Sequence, residues 1–333
     1  MSVVLITGCS SGFGYASALA FARRGDIVYA SMRSLSKAGP LKEIATREAL
    51  DIRVVELEVT SPSAFAPLIA RIVREAGKLD VLVNNAGLLR AGAFEDLDET
   101  ALRSVMETNF FAPFLLARAV LPQMRAQRSG YIIMISSLSG VAGLPGDVAY
   151  TASKFAVEGA TESLRHEVDR WGIKLALVEG GLYATRIFDS SLPGTNAASD
   201  TATSDHATSP ESKACLPPGY PANSPYRALI EHQLTELRAR LPNALDPALI
   251  GELLVTISQS DGRQLRWPAD AVARKVLATL FAQDDAARDA FLQDVAGTQW
   301  WTAGGEAPSG STSAPASGSS SASGKSVVPG VST

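Results

Sequence analysis

The sequence predicts an α/β chain built on a doubly wound parallel sheet, and three observations carry that expectation. Short apolar, β-branched runs alternate with amphipathic stretches, the pattern of repeated strand–helix–strand units. A glycine-rich turn, Thr7-Gly8-Cys9-Ser10-Ser11-Gly12-Phe13-Gly14, joins the first apolar run to the first helical stretch. Further on, Tyr150 and Lys154 stand four residues apart, a spacing that puts both on one helix face.

Val3-Val4-Leu5-Ile6 opens a first strand over 3–7, because a short β-branched run bounded by a turn suits a strand buried on both faces. A helix over 13–24 follows, so the glycines fall at a strand-to-helix junction. There they permit a tight turn and let the backbone approach a pyrophosphate at the helix N-terminus. Taken alone, such a motif also fits an ordinary turn. Further strands are expected near 27–31, 52–57, 80–84, 131–136, 174–178 and 264–267, and helices near 37–48, 62–76, 99–127 and 147–171. Sheets of this kind bind ligands at the carboxyl ends of their strands, and each motif falls at or just after such an end. Residues 189–225, rich in Ser, Thr, Ala, Pro and Gly, break the alternation and read as a substrate lid or a disordered insertion. The stretch 302–333 reads as a disordered Gly/Ser-rich tail, leaving a single domain over 1–300.

Composition narrows the function classes. The 333 residues are 46% hydrophobic, enough for one large core or two smaller ones. A net charge of −4 with no long basic run argues against nucleic acid or an anionic membrane as partner. No apolar stretch is long enough to span a bilayer, and the N-terminal run enters the glycine turn too soon for a signal peptide. Cys9 and Cys215 form no disulfide framework, so a cytoplasmic setting is expected, with Cys9 as a small packing residue. His166, His206 and His232 have no metal-ligand spacing, and no metal is expected.

The chemistry centres on Tyr150. A tyrosine with a pKa of about 10 seldom releases its proton near neutrality. A cation held beside it favours the phenolate and makes a group that passes a proton in either direction. Lys154 is placed to be that cation, and Ser136-Ser137 lies just upstream.

With the glycine turn at 7–14, Asn84-Asn85-Ala86-Gly87, Asn109, Ser137 thirteen positions before Tyr150, and Lys154, the chain resembles the short-chain dehydrogenase/reductase family over residues 1–190, and more weakly to about 295. The resemblance implies a Rossmann fold and assigns roles. Tyr150 is the general acid/base, Lys154 lowers its pKa and hydrogen-bonds the nicotinamide ribose, and Ser137 donates to the reacting oxygen. Asn109 holds a water linking Lys154 to solvent; its other reading is a helix-kinking amide in an apolar stretch. Cofactor contacts are implied for Gly8, Ser10, Ser11, Gly12, Phe13, Gly14, Glu58, Val59, Asn85, Ala86, Gly87, Gly181, Tyr183 and Thr185, with Tyr150 and Lys154. Gly180 stands where the family places a proline, which implies a more mobile nicotinamide loop.

The second strand ends Ala30-Ser31-Met32-Arg33-Ser34, with a cation and no carboxylate. NADP(H) is therefore favoured and NAD(H) is the alternative, with Arg33 also readable as a solvated loop residue. The run from Gly143 to Gly159 is most similar to the 17β-hydroxysteroid and retinol dehydrogenase branch. It implies a bulky apolar ketone, aldehyde or alcohol, with Leu138, Leu144, Leu182, Tyr183 and Phe188 as pocket candidates that equally suit the core. Relatives pair the helices at 99–127 and 147–171, which implies a homodimer or homotetramer. Alternatives kept open are an acyl or polyketide carbonyl reductase and a non-catalytic dinucleotide-binding regulator.

Overall fold

The computed structural model describes residues 1–189, 216–217, 219–282, 285–303 and 305–306. Seven parallel strands form one sheet in the order β3-β2-β1-β4-β5-β6-β7: β1 Val3–Ile6, β2 Ile27–Met32, β3 Ile52–Glu56, β4 Val81–Asn84, β5 Gly130–Ile135, β6 Ile173–Glu179 and β7 Arg266–Pro268. The winding reverses between β1 and β4, which are hydrogen-bonded neighbours, and the crevice that binds ligands on such sheets opens there.

Alternation along the strands sorts the core. Val3 and Leu5, with Ile132 and Met134 and with Leu175 and Leu177, meet one helical layer: α3 (Phe65–Ala76), α5 (Ala112–Gln127) and α6 (Val148–Val168). Val4 and Ile6, with Ile133 and Val178, meet α1 (Gly12–Arg23), α2 (Gly39–Arg47) and α8 (Ala248–Gln259) on the other side. The period of two puts consecutive side chains on opposite faces, so a strand that is apolar throughout must be covered twice.

The helix expected over 99–127 is interrupted. It runs as α4 (Glu99–Met106), a π-turn over Glu107–Phe111, and then α5. Pro113 has no N–H to give the carbonyl of Asn109, and the Asn109 side chain is bonded to the backbone of another loop, so the turn widens at this point. C-terminal elements absent from the expected list are α7 (Arg227–Arg240), α9 (Ala271–Leu280), α10 (Asp285–Ala296) and α11 (Gln299–Thr302). Of the expected lid at 189–225, residues 190–215 and 218 lie outside the described residues, as do Cys215, His206 and the tail from 307 on. The described end of that segment is anchored: the Tyr220 and Ser224 hydroxyls both donate to Asp96, and Leu216 is buried. Among the described residues, no helix is long and apolar enough to cross a membrane.

Candidate active site

The glycine turn is fixed by covalent geometry and by buttressing from β4. Gly8 and Gly12 have φ of 75° and 57°, the left-handed region that suits glycine. A Cβ on Gly14 would stand 2.4 Å from the carbonyl oxygen of Gly8, so the helix can approach the turn only without a side chain there. The Asn85 amide donates to the carbonyls of Thr7 (2.7 Å) and Gly8 (3.3 Å), and the Thr7 hydroxyl accepts from the N–H groups of Asn85 and Ala86. Asn85 lines the cavity, yet its side chain is spent on shaping the turn. Gly14 does not line the cavity at all; it lies behind the wall.

At the carboxyl end of β5, Ser137 is the second residue beyond the strand, and Tyr150 rises on the first turn of α6. Both line one cavity of about 1030 Å³, together with Lys154 and the glycine turn. Burial raises the Tyr150 phenol above its ordinary value, hydrogen bonding with Ser137 pulls it down, and the charge of Asp147 adds to the rise. Lys154 Nζ donates to the Ile135 carbonyl at 2.7 Å and stands 5.6 Å from the centre of the Tyr150 ring. Burial lowers Lys154 to about 8, partly offset by the charge of Glu158. Desolvation is thus the largest influence on both groups.

Asn109 is buried behind this group. Its two amide N–H bonds go to the Leu88 carbonyl (2.8 Å) and Ser153 Oγ (3.0 Å), and its Oδ1 accepts from Leu88 N–H (2.8 Å). The amide clasps both backbone groups of Leu88 and so fixes the loop after β4, a wall of the cavity. It does not itself line the cavity.

The loop after β6 is held from a residue that the sequence did not single out. Gly181 N–H donates to Asp270 Oδ2 at 2.9 Å, and the other oxygen of Asp270 caps α9 through Ala273 N–H at 2.8 Å. Leu138 N–H also donates to the Gly180 carbonyl. These bonds tie down the loop at the point where the proline is missing. Asp270→Ala is expected to destabilise the fold by about 1–2 kcal/mol through the lost cap. The same change should weaken dinucleotide binding, and thermal unfolding with a parallel titration checks both.

Immediately before this loop, Glu179 is 0% exposed and, among the described residues, neither carboxylate oxygen finds a hydrogen-bond partner. Burial, then the nearby charge of Glu158, pushes its carboxyl to about 8. Glu158 is satisfied by the Ser136 hydroxyl (2.5 Å) and by Arg266 Nε (3.0 Å), and Arg266 extends outward to Glu162.

The remaining expected residues sort by position. Gly8, Ser10, Ser11, Gly12, Phe13, Arg33, Glu58, Val59, Ala86, Gly87, Gly181, Tyr183 and Thr185 all line the cavity, as do Leu138, Leu144, Leu182 and Phe188. Arg33 is exposed at the rim, 3.9 Å from Glu58, with Ser34 and Lys37 beside it. Tyr183 is buried with its ring edge against Phe13. The distal wall comes from α7 (Ile230, Leu234, Leu237), an element that carries no motif. Among the described residues, no cluster could hold a metal ion.

The short chain dehydrogenase family profile matches residues 2–195. The chain belongs to that family. Among its relatives is a 3-ketodihydrosphingosine reductase of Bacteroides thetaiotaomicron, 40% identical over 56% of this chain and 66% of that protein. Retinol dehydrogenase 8 of Bos taurus is 42% identical over 55% of this chain and 59% of that protein. The 17-beta-hydroxysteroid dehydrogenase type 1 of Mus musculus is 31% identical over 80% and 73%. The first two matches thus span less than two thirds of the relatives' own length. Similarity to the retinol and 17β-hydroxysteroid branch agrees with the run around Tyr150. The crystal structure of a short-chain dehydrogenase from Streptomyces avermitilis superimposes with a TM-score of 0.68 at 30% identity, covering 90% of this chain and 98% of that one. Within this family fold, the site described above occupies the carboxyl ends of β1, β2, β4, β5 and β6.

Proposed function

We propose that this short chain dehydrogenase reduces the carbonyl of a hydrophobic ketone or aldehyde with NADPH, and runs the reverse reaction on the alcohol. The observation that carries this reading is the convergence of Ser137, Tyr150 and Lys154 on the same cavity as the glycine turn. Its volume of about 1030 Å³ lies at the top of the range of roughly 300–1,000 Å³ usual for one small ligand, which suits a dinucleotide and a substrate together.

The cradle fits the cofactor. Gly14 leaves no room for a Cβ, Gly8 and Gly12 take left-handed backbone, and the N-terminus of α1 faces the turn, a setting for a pyrophosphate. Arg33, with Ser34 and Lys37, offers charge and hydroxyl to a 2′-phosphate, and no carboxylate closes β2 to prefer a free ribose. When bound, NADPH supplies the hydride. The chain's own residues handle the proton. The Ser137 hydroxyl donates to the carbonyl oxygen and orients it, and Tyr150 gives that oxygen a proton as negative charge develops. Because burial keeps the phenol protonated at neutral pH, the acid form needed for reduction is the resting form. Lys154 replaces the proton from the buried side, and Asn109 holds the Leu88 wall in register.

Leu144, Leu182, Phe188, Ile230 and Leu234 give the distal cavity an apolar lining that suits a steroid- or retinoid-like body. The relation to a 3-ketodihydrosphingosine reductase favours an acyclic long-chain carbonyl as the second reading. An intact Ser137, Tyr150 and Lys154 weighs against a non-catalytic regulator. We also propose a cytoplasmic homodimer or homotetramer, since Phe111 and Phe155 remain 47% and 43% exposed on the π-turn and α6. Arg33→Ala tests the cofactor: the KM for NADPH is expected to rise about tenfold while the KM for NADH stays level. An equal change in both would remove Arg33 from the 2′-phosphate.

A further inference from the structure

Asp147 is the last residue before α6, three positions ahead of Tyr150, and it lines the substrate end of the cavity beside Leu144 and Pro145. An aspartate at this position usually turns back to accept an N–H of the first helical turn. Here the side chain makes no such bond, and it has no hydrogen bond or ion pair with any described residue. Only its backbone is used, accepting from Thr151 N–H. The residue is half-buried, and burial raises its carboxyl to about 6, so it is ionised at neutral pH. Its charge adds to the rise of the Tyr150 phenol, and both residues line the same cavity. A half-buried carboxylate on a cavity wall keeps its acceptor positions open where no protein donor meets it. In a cavity wall, the missing donor can be carried by the ligand.

We propose that Asp147 is a specificity-determining residue that accepts a hydrogen bond from a hydroxyl or ammonium group borne by the substrate near the carbon to be reduced. The inference rests on the carbonyl-reductase reading above and narrows it: the preferred substrates are hydroxy or amino ketones with an apolar remainder. The apolar walls of Leu144, Ile230 and Leu234 receive that remainder, while Asp147 and Ser137 meet the polar end from two elements.

The test uses three ketones of one chain length, plain, α-hydroxy and α-amino, with NADPH and the purified chain. The same ketones are titrated in parallel in the presence of NADP+, which carries no hydride to transfer, so that binding is read without turnover. The donor-bearing ketones are expected to exceed the plain one in kcat/KM by about ten- to a hundredfold, the worth of a hydrogen bond to a charged group. Asp147→Asn and Asp147→Ala are expected to erase that preference in kcat/KM and in ketone binding, leaving the plain ketone within a few-fold. Equal loss on all three ketones would mean that Asp147 acts through Tyr150, and no preference in the unaltered chain would mean that the carboxylate meets no substrate donor; either result overturns the proposal. Turnover of the plain ketone alone keeps the reductase reading while rejecting this one. Absence of turnover on all three counts against the reductase reading, and the binding titration still decides the role of Asp147.

Discussion

Tyr150→Phe is expected to lower kcat for carbonyl reduction about 10³-fold, within the range that general acid catalysis contributes, while NADPH binds within a few-fold of the unaltered chain. The substitution removes one oxygen and little else. The ring keeps its buried place on α6 and its face toward Lys154, 5.6 Å from the ring centre. Nothing that shapes the dinucleotide cradle changes, because the turn is braced by Thr7 and Asn85 and the loop after β6 by Asp270. What disappears is the proton delivered to the developing alkoxide. Burial raises the phenol, so reduction should hold level through neutral pH, whereas alcohol oxidation, which needs the ionised form, should climb with pH. Steady-state absorbance gives the first quantity and fluorescence titration the second. A fall of less than tenfold would show that another group supplies the proton.

Glu179→Gln is expected to stabilise the fold in alkaline solution, an unusual outcome for a change at a buried site. The carboxyl is raised from 4.5 to about 8 in the folded chain. Between those values the folded state binds more protons than the unfolded one, so its contribution to stability is lost as pH rises through that window. At about 1.4 kcal/mol per unit, the shift from 4.5 to about 8 accumulates a penalty on the order of 5 kcal/mol by pH 9. A neutral amide of the same shape carries no such penalty. Chemical denaturation at pH 5 and pH 9 is the check. The variant should gain little at pH 5 and several kcal/mol at pH 9, and an equal effect at both would show that Glu179 is not held neutral.

The strands were legible because each is short, apolar and bounded, and β1 to β6 fall within a residue or two of where periodicity puts them. The motif residues were legible because their function requires particular side chains at fixed spacing. Other features hid in long-range geometry. Asp270 is 89 residues from the glycine it holds, and no local pattern announces such a bond. The widened turn at Glu107–Phe111 needed both Pro113 and the loop that Asn109 clasps. The proline was visible in sequence; the partner was not. Asp147 sat within a quoted motif, but only the fold reveals that its side chain leaves the helix cap unmade. For Tyr150 and Lys154, spacing alone put a cation beside the phenol, while only packing shows how deeply both are buried.

The decisive measurement follows NADPH absorbance as the purified chain is offered steroid, retinoid and long-chain aliphatic carbonyls, with NADH run alongside. Consumption of NADPH in step with alcohol formation, faster than with NADH, is the expected result. NADPH that binds tightly yet is never oxidised by any carbonyl would contradict the assignment of Ser137, Tyr150 and Lys154 as a working proton-transfer site.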